Sequence, residues 1–461
     1  SHARRSSRRQ SWAGPTNKPF DPVTFEGVIP FVFQRRPMKV RKSAHKRPAW
    51  FGSHITIANP TVNPIGPETI ATIVIDPLSG SSVGYEWVTD IHKAWSGKER
   101  RHSVMAYPRQ TYKFKALMED DFTRRALSML AQSAPDAEPF LLGLMHESLS
   151  IVGATSATAT VNSLSLCDWA TPGQRVVVMG PDGEIDVTHI AFTSSNVITL
   201  NDDVTGVSGL RGSRIMPSVA VHLAPEQKLG RHAVNAEEWE LVGHAIDLFY
   251  GDGTRAIGTG ATVNTYDGLP VWDQGVDVKA TVGQPMFSGA DLVDLGQSIS
   301  AFARPGGIAD WGREIRISSD SYAGWQYLKK FLHTVRGRQV SFLLPTYRPD
   351  LVPVGDASSG SLVVEGPPTE NAPDYTNAWF PSLGHRRLRL LKADGSTAYV
   401  TVTGAADNFD GTQTLTLAAG SSGALSRVEL LETCRFDSDE IEVEWTGHQF
   451  RCVLPVKVVQ Q

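Results

Sequence analysis

The chain has 461 residues, enough for two to four domains that each bury a core. It is 41% hydrophobic and 20% charged, and its 41 glycines and 28 prolines suit many short strands joined by tight turns. No apolar run approaches the roughly 18 residues a membrane helix needs, and the sparse cysteines (Cys167, Cys434, Cys452) exclude a dense disulfide framework. Such thiols fit assembly in a reducing cytoplasm. The basic start lacks a following apolar stretch, so it does not read as a signal peptide.

Charge is unevenly spread. Residues 1–50 hold twelve Lys/Arg and two Asp/Glu, which leaves 32 basic and 46 acidic residues, a balance of −14, in the remainder. We read 1–60 as a basic arm, with Arg35, Arg36, Arg41 and Lys42 as candidate partner-docking residues. Such an arm invites contact with an acidic surface or nucleic acid. Only Trp50 and Phe51 adjoin it, without the stacking pattern of single-strand binders, which favours a neighbouring protein. A solvated start that orders on assembly is the competing reading.

A first unit is expected over 61–250. A turn at Gly97-Lys98-Glu99-Arg100-Arg101 leads to a strand with Tyr112 and Phe114. Asp120 and Asp121 suit a helix start, and Phe122, Ala126, Met129 and Leu130 fall at helical spacing behind them. A buried strand follows at 140–144, then a β insert over 153–222. Its strands at 175–179 and 184–190 flank Pro181-Asp182-Gly183, where glycine takes the positive φ of a hairpin turn. A Glu/Trp-rich strand ends at Gly243-His244.

Residues 251–285 read as linker and strands, and a second unit is expected over 286–461. Gly312-Arg313-Glu314-Ile315-Arg316 opens it, and Ser319 and Asp320 suit a helix cap. Trp325, Leu328, Leu332 and Val335 form the apolar face, and Gly337 is the stop signal. A buried strand lies at 340–344, and a second insert is expected over 355–432, with 354–377 as a long loop. Strands at 388–391 and 397–403 flank Ala393-Asp394-Gly395.

The two halves share more than one string. The G-(K/R)-E-x-R turn recurs at an offset of 215, and Phe140-Leu141-Leu142 recurs as Phe342-Leu343-Leu344 at 202. Asp182-Gly183 matches Asp394-Gly395, Thr199-Leu200 matches Thr416-Leu417, and Ser213-Arg214-Ile215 matches Ser426-Arg427-Val428. Gly243-His244 is paired with Gly447-His448. Six matches in one order indicate a duplication with loop insertions. The expected fold is mainly β: two tandem β-barrel or sandwich units, each with one short helix and an inserted small β domain.

Chemistry-bearing motifs are weak. The chain has no phosphate loop, no H-E-x-x-H helix and no G-x-S-x-G elbow. The glycine-rich run at 251–260 lacks the βαβ setting of a dinucleotide fingerprint. His222, His232 and His244 have no metal-ligand spacing, and Glu237-Glu238 or Asp437, Asp439 and Glu440 sit on alternating strands rather than in an aromatic-lined cleft. Trp379 and Phe380 could take a sugar or pack on the insert. We expect no enzyme, no cofactor and no metal.

The order of an aromatic, S-G-x-E-x-R, a tyrosine-bearing strand, a helix and R-G-R-x-x-x-F resembles the distal tail proteins of siphophages. It is carried here by Trp95 to Arg101 with Tyr112, and by Trp311 to Arg316 with Arg336-Gly337-Arg338, Phe342 and Tyr347-Arg348-Pro349-Asp350. Members of that family generally carry the domain once, and the first copy here has Ser133-Ala134-Pro135-Asp136 in place of R-G-R. The resemblance implies a β belt that forms a ring continuing the tail tube. A duplicated unit suggests a trimer with pseudo-sixfold symmetry, or a hexamer. The expected partners are further copies, tail tube, tape-measure, hub or baseplate proteins and receptor-binding proteins, in a virion assembled in the host cytoplasm. Glu99, Arg101, Glu314, Arg316, Arg336 and Arg338 are the candidate subunit-interface residues. A receptor- or glycan-binding tail protein acting through the inserts is the alternative, and a secreted enzyme with β modules is a third reading.

Overall fold

A computed structural model describes residues 55–58, 72–75, 81–94, 98–118, 261–276, 286–287, 291–294, 299–303, 310–366, 374–381 and 385–459. It also describes 139–246, with short gaps at 156, 166, 182–183, 205–211, 225–226 and 234–235. The arm residues Arg35, Arg36, Arg41 and Lys42 and the first helix expected from Asp120 lie outside these. Residues 52–461 cluster as one unit. The described chain is mainly β, with a single α-helix.

In chain order the first half supplies β1 (Ile55–Ala58), β2 (Thr72–Ile75), β3 (Ser81–Glu86), β4 (Thr89–Lys93) and β5 (Glu99–Ser103). Next come β6 (Arg109–Met118), β7 (Phe140–Gly143), β8 (Leu149–Thr155), β9 (Thr158–Val161) and β10 (Arg175–Met179). The half closes with β11 (Ile185–Ser194), β12 (Val197–Leu200), β13 (Arg214–Leu223), β14 (Lys228–Ala233) and β15 (Ala236–Ala245).

The second half begins with the short β16 (Thr265–Tyr266), β17 (Leu269–Pro270) and β18 (Met286–Phe287). β19 (Asp291–Asp294), β20 (Ile299–Ala303) and β21 (Asp310–Ser319) precede the helix α1 (Tyr322–Val335). β22 (Phe342–Pro345), β23 (Ser361–Glu365), β24 (Arg387–Lys392), β25 (Thr397–Asp407) and β26 (Thr412–Leu417) follow. β27 (Leu425–Phe436), β28 (Glu440–Thr446) and β29 (Gln449–Val458) end the chain.

One antiparallel sheet runs through both halves in the order β14-β15-β6-β3-β28-β29-β21-β18. Alternation along each strand gives it two unlike faces. In β28 Ile441, Val443 and Trp445 are buried while Glu440, Glu442 and Glu444 are exposed. The buried face packs against α1.

That helix forms because an apolar stripe at helical spacing follows a good cap. Ser321, one residue beyond the expected Ser319-Asp320 cap, accepts a hydrogen bond from the Gly324 amide at 3.0 Å. Trp325, Leu328, Leu332 and Val335 are buried as their spacing predicts, and Phe331 joins them against Phe342 and Phe436. Arg336 then turns left-handed (φ 57°), followed by Gly337 at φ 61°. A Cβ at Gly337 would meet Asp439 Oδ1 at 2.4 Å, so glycine is required there twice over.

Each half also carries a smaller set of strands reached through one long strand. β27 pairs with β24 at its start and with β22 and β29 at its end, so it leaves one sheet and enters the other. The second insert has a core of its own around Leu362, Val364, Leu388, Val400, Leu415 and Val428. Tyr375 is buried in it. The stretch 354–377, expected as a loop, contains β23 paired to β26 and the start of a π-turn at Tyr375–Trp379. Its Ser/Gly-rich flanks hid a strand of only five residues.

The pairings of the first half recur in the second with the same registers. Phe140 faces Val221, which also faces Ala245, and Phe342 faces Cys434, which also faces Val458. Ile215 faces Val178 as Val428 faces Leu390. The β11–β12 ladder slips between Ile190 and Phe192, and the β25–β26 ladder slips between Val402 and Gly404.

Two of the sequence matches are nevertheless misaligned. Glu99 and Arg101 lie on β5, a hairpin partner of β4, whereas Glu314 and Arg316 lie on β21, paired to β29. By register the counterparts of Glu314 and Arg316 are Lys113 and Lys115 on β6, since Phe114 faces Leu241 as Ile315 faces Leu454. Gly243 and His244 lie within β15, whereas Gly447 and His448 form the β28–β29 turn.

Candidate assembly surface

The two halves meet where β28 pairs with β3, Ile441 opposite Tyr85 and Val443 opposite Val83. On the exposed face of this seam Lys113 reaches over β3 to Glu442, Nζ to Oε1 3.0 Å, and the Ser82 hydroxyl donates to the same carboxylate. Partial burial pushes Glu442 up, but the Ser82 and Lys113 contacts together hold it below the usual carboxylate range.

Beside the seam Asp439 acts as a clamp. It accepts from the Thr89 amide (3.0 Å), the Thr89 hydroxyl (2.9 Å), the Arg338 amide (2.8 Å) and Arg338 Nε (3.0 Å). Arg338 also donates to the Thr89 carbonyl at 3.1 Å. Glu99 takes Arg435 at 3.0 Å, and Arg101 donates to Ser341 Oγ at 2.8 Å. Glu99, Arg101 and Arg338 are therefore partnered across the join between the halves of one chain. Arg336 is the left-handed helix end and is exposed. Glu314 and Arg316 are exposed on β21 and face each other at 3.6 Å.

Deeper in the join lies a charge cluster that sequence reasoning missed. Lys329 of α1, fully buried, donates to Glu147 at 2.7 Å and reaches Asp168 at 2.9 Å. Glu147 also accepts from Trp325 Nε1 and the Tyr322 hydroxyl, both at 3.2 Å. The signal was present: Lys329 is four residues after Trp325 and three before Leu332, on the buried stripe. Burial alone pushes the ammonium down, but Asp168 and Glu147 more than offset it and hold Lys329 above its ordinary value. A lysine nucleophile or base needs the opposite shift, so this group works as a charged strut. Next to it His146 sits between Trp325 and Trp445, held neutral by burial and by Lys329 with a pKa of about 3.

Other features offer less chemistry. Burial pushes the Cys167 thiol up to about 12 and raises Cys434 and Cys452, so all three are poor nucleophiles. A depression of about 820 Å³ beside α1 is lined by Trp272, Ile317, Ser319, Tyr327, Leu328 and Phe450, side chains without a carboxylate, imidazole or ammonium. His222 and His244 face each other across β13–β15, and among the described residues no three His, Cys, Asp or Glu side chains gather into a metal-sized group. Trp379 is 37% exposed and Phe380 packs on the insert core under Arg386.

No family model matches the chain, and no curated protein matches it either. The interpretation of this surface therefore rests on its geometry. Among the described residues no helix is long and apolar enough to cross a membrane.

Proposed function

We propose that this chain is a structural virion protein of a bacteriophage tail tip or baseplate. It forms a ring that continues the tail tube and joins it to hub or receptor-binding proteins. The observation that carries the reading is the recurrence of one set of strand registers in both halves, including the bulge in corresponding ladders. A chain built from two like units, each with a β insert, and already joined edge to edge through one sheet is a ready repeat for a closed ring. The resemblance of the Gly312 to Phe342 stretch to distal tail proteins supports the same role. The chain's work on this reading is assembly rather than catalysis, with no cofactor and no metal. Three chains would present six like units to the tail tube, with tape-measure and hub proteins as the neighbours above and below.

A receptor- or glycan-binding role for the inserts is the second reading. It is favoured by Phe409, which is 92% exposed at the tip of the β25–β26 hairpin, where an isolated aromatic is available to a partner. Negative-stain images of the purified full chain test the first reading. Closed rings with a central channel are expected, and a persistent monomer contradicts it.

A further inference from the structure

The charged strut inside the join has the composition and spacing of a condensation site. Lys329 on α1, Glu147 beyond β7 and Asp168 between β9 and β10 are each buried. Lys329 Nζ lies 3.0 Å from Asp168 Oδ1 and 2.9 Å from Oδ2, so it is centred on the carboxylate rather than bonded to one oxygen. With both oxygens that close, Nζ is no more than about 3.4 Å from the Asp168 Cγ, within the range of a near-attack pair. The same Nζ meets Glu147 Oε1 at 2.7 Å, the shortest of its contacts.

The setting is dry and aromatic. Trp169 and Trp325 are buried, and Lys329 Nζ sits 5.5 Å from the Trp325 ring centroid. Trp169 Nε1 donates to the Glu147 carbonyl at 3.2 Å, while Trp325 Nε1 and the Tyr322 hydroxyl donate to its carboxylate, so the acid is held in place. Two opposite charges in such a place are costly to keep, and a neutral amide formed from them removes that cost. Burial works against the charge on Lys329, but Asp168 and Glu147 hold the ammonium protonated, so as it stands it is no nucleophile. A proton that crosses the 2.7 Å to Glu147 changes this, because it leaves a neutral amine against Asp168 without exchange with solvent.

We propose that Lys329 and Asp168 condense to an intramolecular amide, with Glu147 as the proton relay, so that the two halves become covalently joined. Nζ gives one proton to Glu147, and the amine then attacks the Asp168 Cγ to form the N–C bond. Glu147 passes that proton, and then a second from Nζ, to one carboxylate oxygen. The C–O bond to this oxygen breaks and it leaves as water. Nζ keeps its last proton in a secondary amide, Glu147 ends as it began, and the step needs no oxidant, reductant or co-reactant. Glu147 is left accepting from Trp325 and Tyr322 beside the new bond. The link closes a loop across 161 positions and so restricts the unfolded chain. It does not depend on the ring reading.

The mass of the full chain, measured after unfolding in guanidinium, tests the link. It should fall below the sequence mass by one water, and digestion should give one branched peptide that carries both Asp168 and Lys329. Glu147→Gln keeps the shape of the side chain but cannot take the proton, so the full sequence mass should return while circular dichroism stays that of the parent. In Asp168→Asn the same amide forms with loss of ammonia instead of water, so its product should have the mass of the wild-type product. A wild-type chain at full sequence mass, without the branched peptide, overturns the proposal and leaves the three residues as an ion-paired strut. Complete linkage in Glu147→Gln overturns the relay.

Discussion

Lys329 of one half is buried against Glu147 and Asp168 of the other, so a change at any of the three reaches the join. Removing one member strands the others: Lys329→Met leaves two carboxylates buried without a cation and should cost roughly 3–5 kcal/mol. Urea denaturation of the variant checks this, and a change within error would mean that water reaches the cluster. Acid should also act here. His146 titrates at about 3 when folded against an ordinary value of 6.5, so between those values the unfolded chain takes up a proton that the folded chain refuses. Stability is therefore lost as pH falls through that window.

Glu432 acts in the opposite sense. Burial, only partly offset by Arg313, raises it from 4.5 to about 7, so the folded chain keeps a proton that the unfolded one loses and stability falls as pH rises there. The displacement at His146 is larger, and His333 is lowered to about 3 as well, so the histidines prevail. Denaturation midpoints should decline below about pH 6, and His146→Asn should flatten that slope. An unchanged slope in the variant would remove His146 from the account.

At the scale of elements, what could be read from the sequence was whatever combined periodicity with punctuation. The helix α1 was legible from its stripe and from Gly337, and Phe140 and Phe342 identified equivalent strands. Ser213 to Ile215 and Ser426 to Val428 did so too, because a polar start followed by alternation fixes register. The charged turns misled for a related reason. Any strand that alternates charge with another residue reproduces G-x-E-x-R by chance, and only pairing partners distinguish β5 from β21. The stripe marked Lys329 as buried, but its partners Glu147 and Asp168 were not legible, because they come from segments distant in the chain. At α1 the cap matters as well as the stripe: Ser321→Ala removes the hydrogen bond to Gly324 and should cost about 1 kcal/mol. Thermal unfolding measures it, and an effect near zero would show that the stripe alone holds the helix start.

At the scale of the whole molecule, a single sheet crosses from one half to the other and ends, among the described residues, at β14 and β18. A monomer with such edges is exposed to uncontrolled pairing, which closed assembly removes. The duplicated registers argue for a repeat of two units per chain. On the proposed ring reading, closure would be set by how many chains the curvature admits. Class averages of the purified full chain in negative stain measure this most directly. The account predicts closed rings around a channel in which three chains give six near-equivalent positions; a monomer at every concentration, or open aggregates without a closed form, would contradict it.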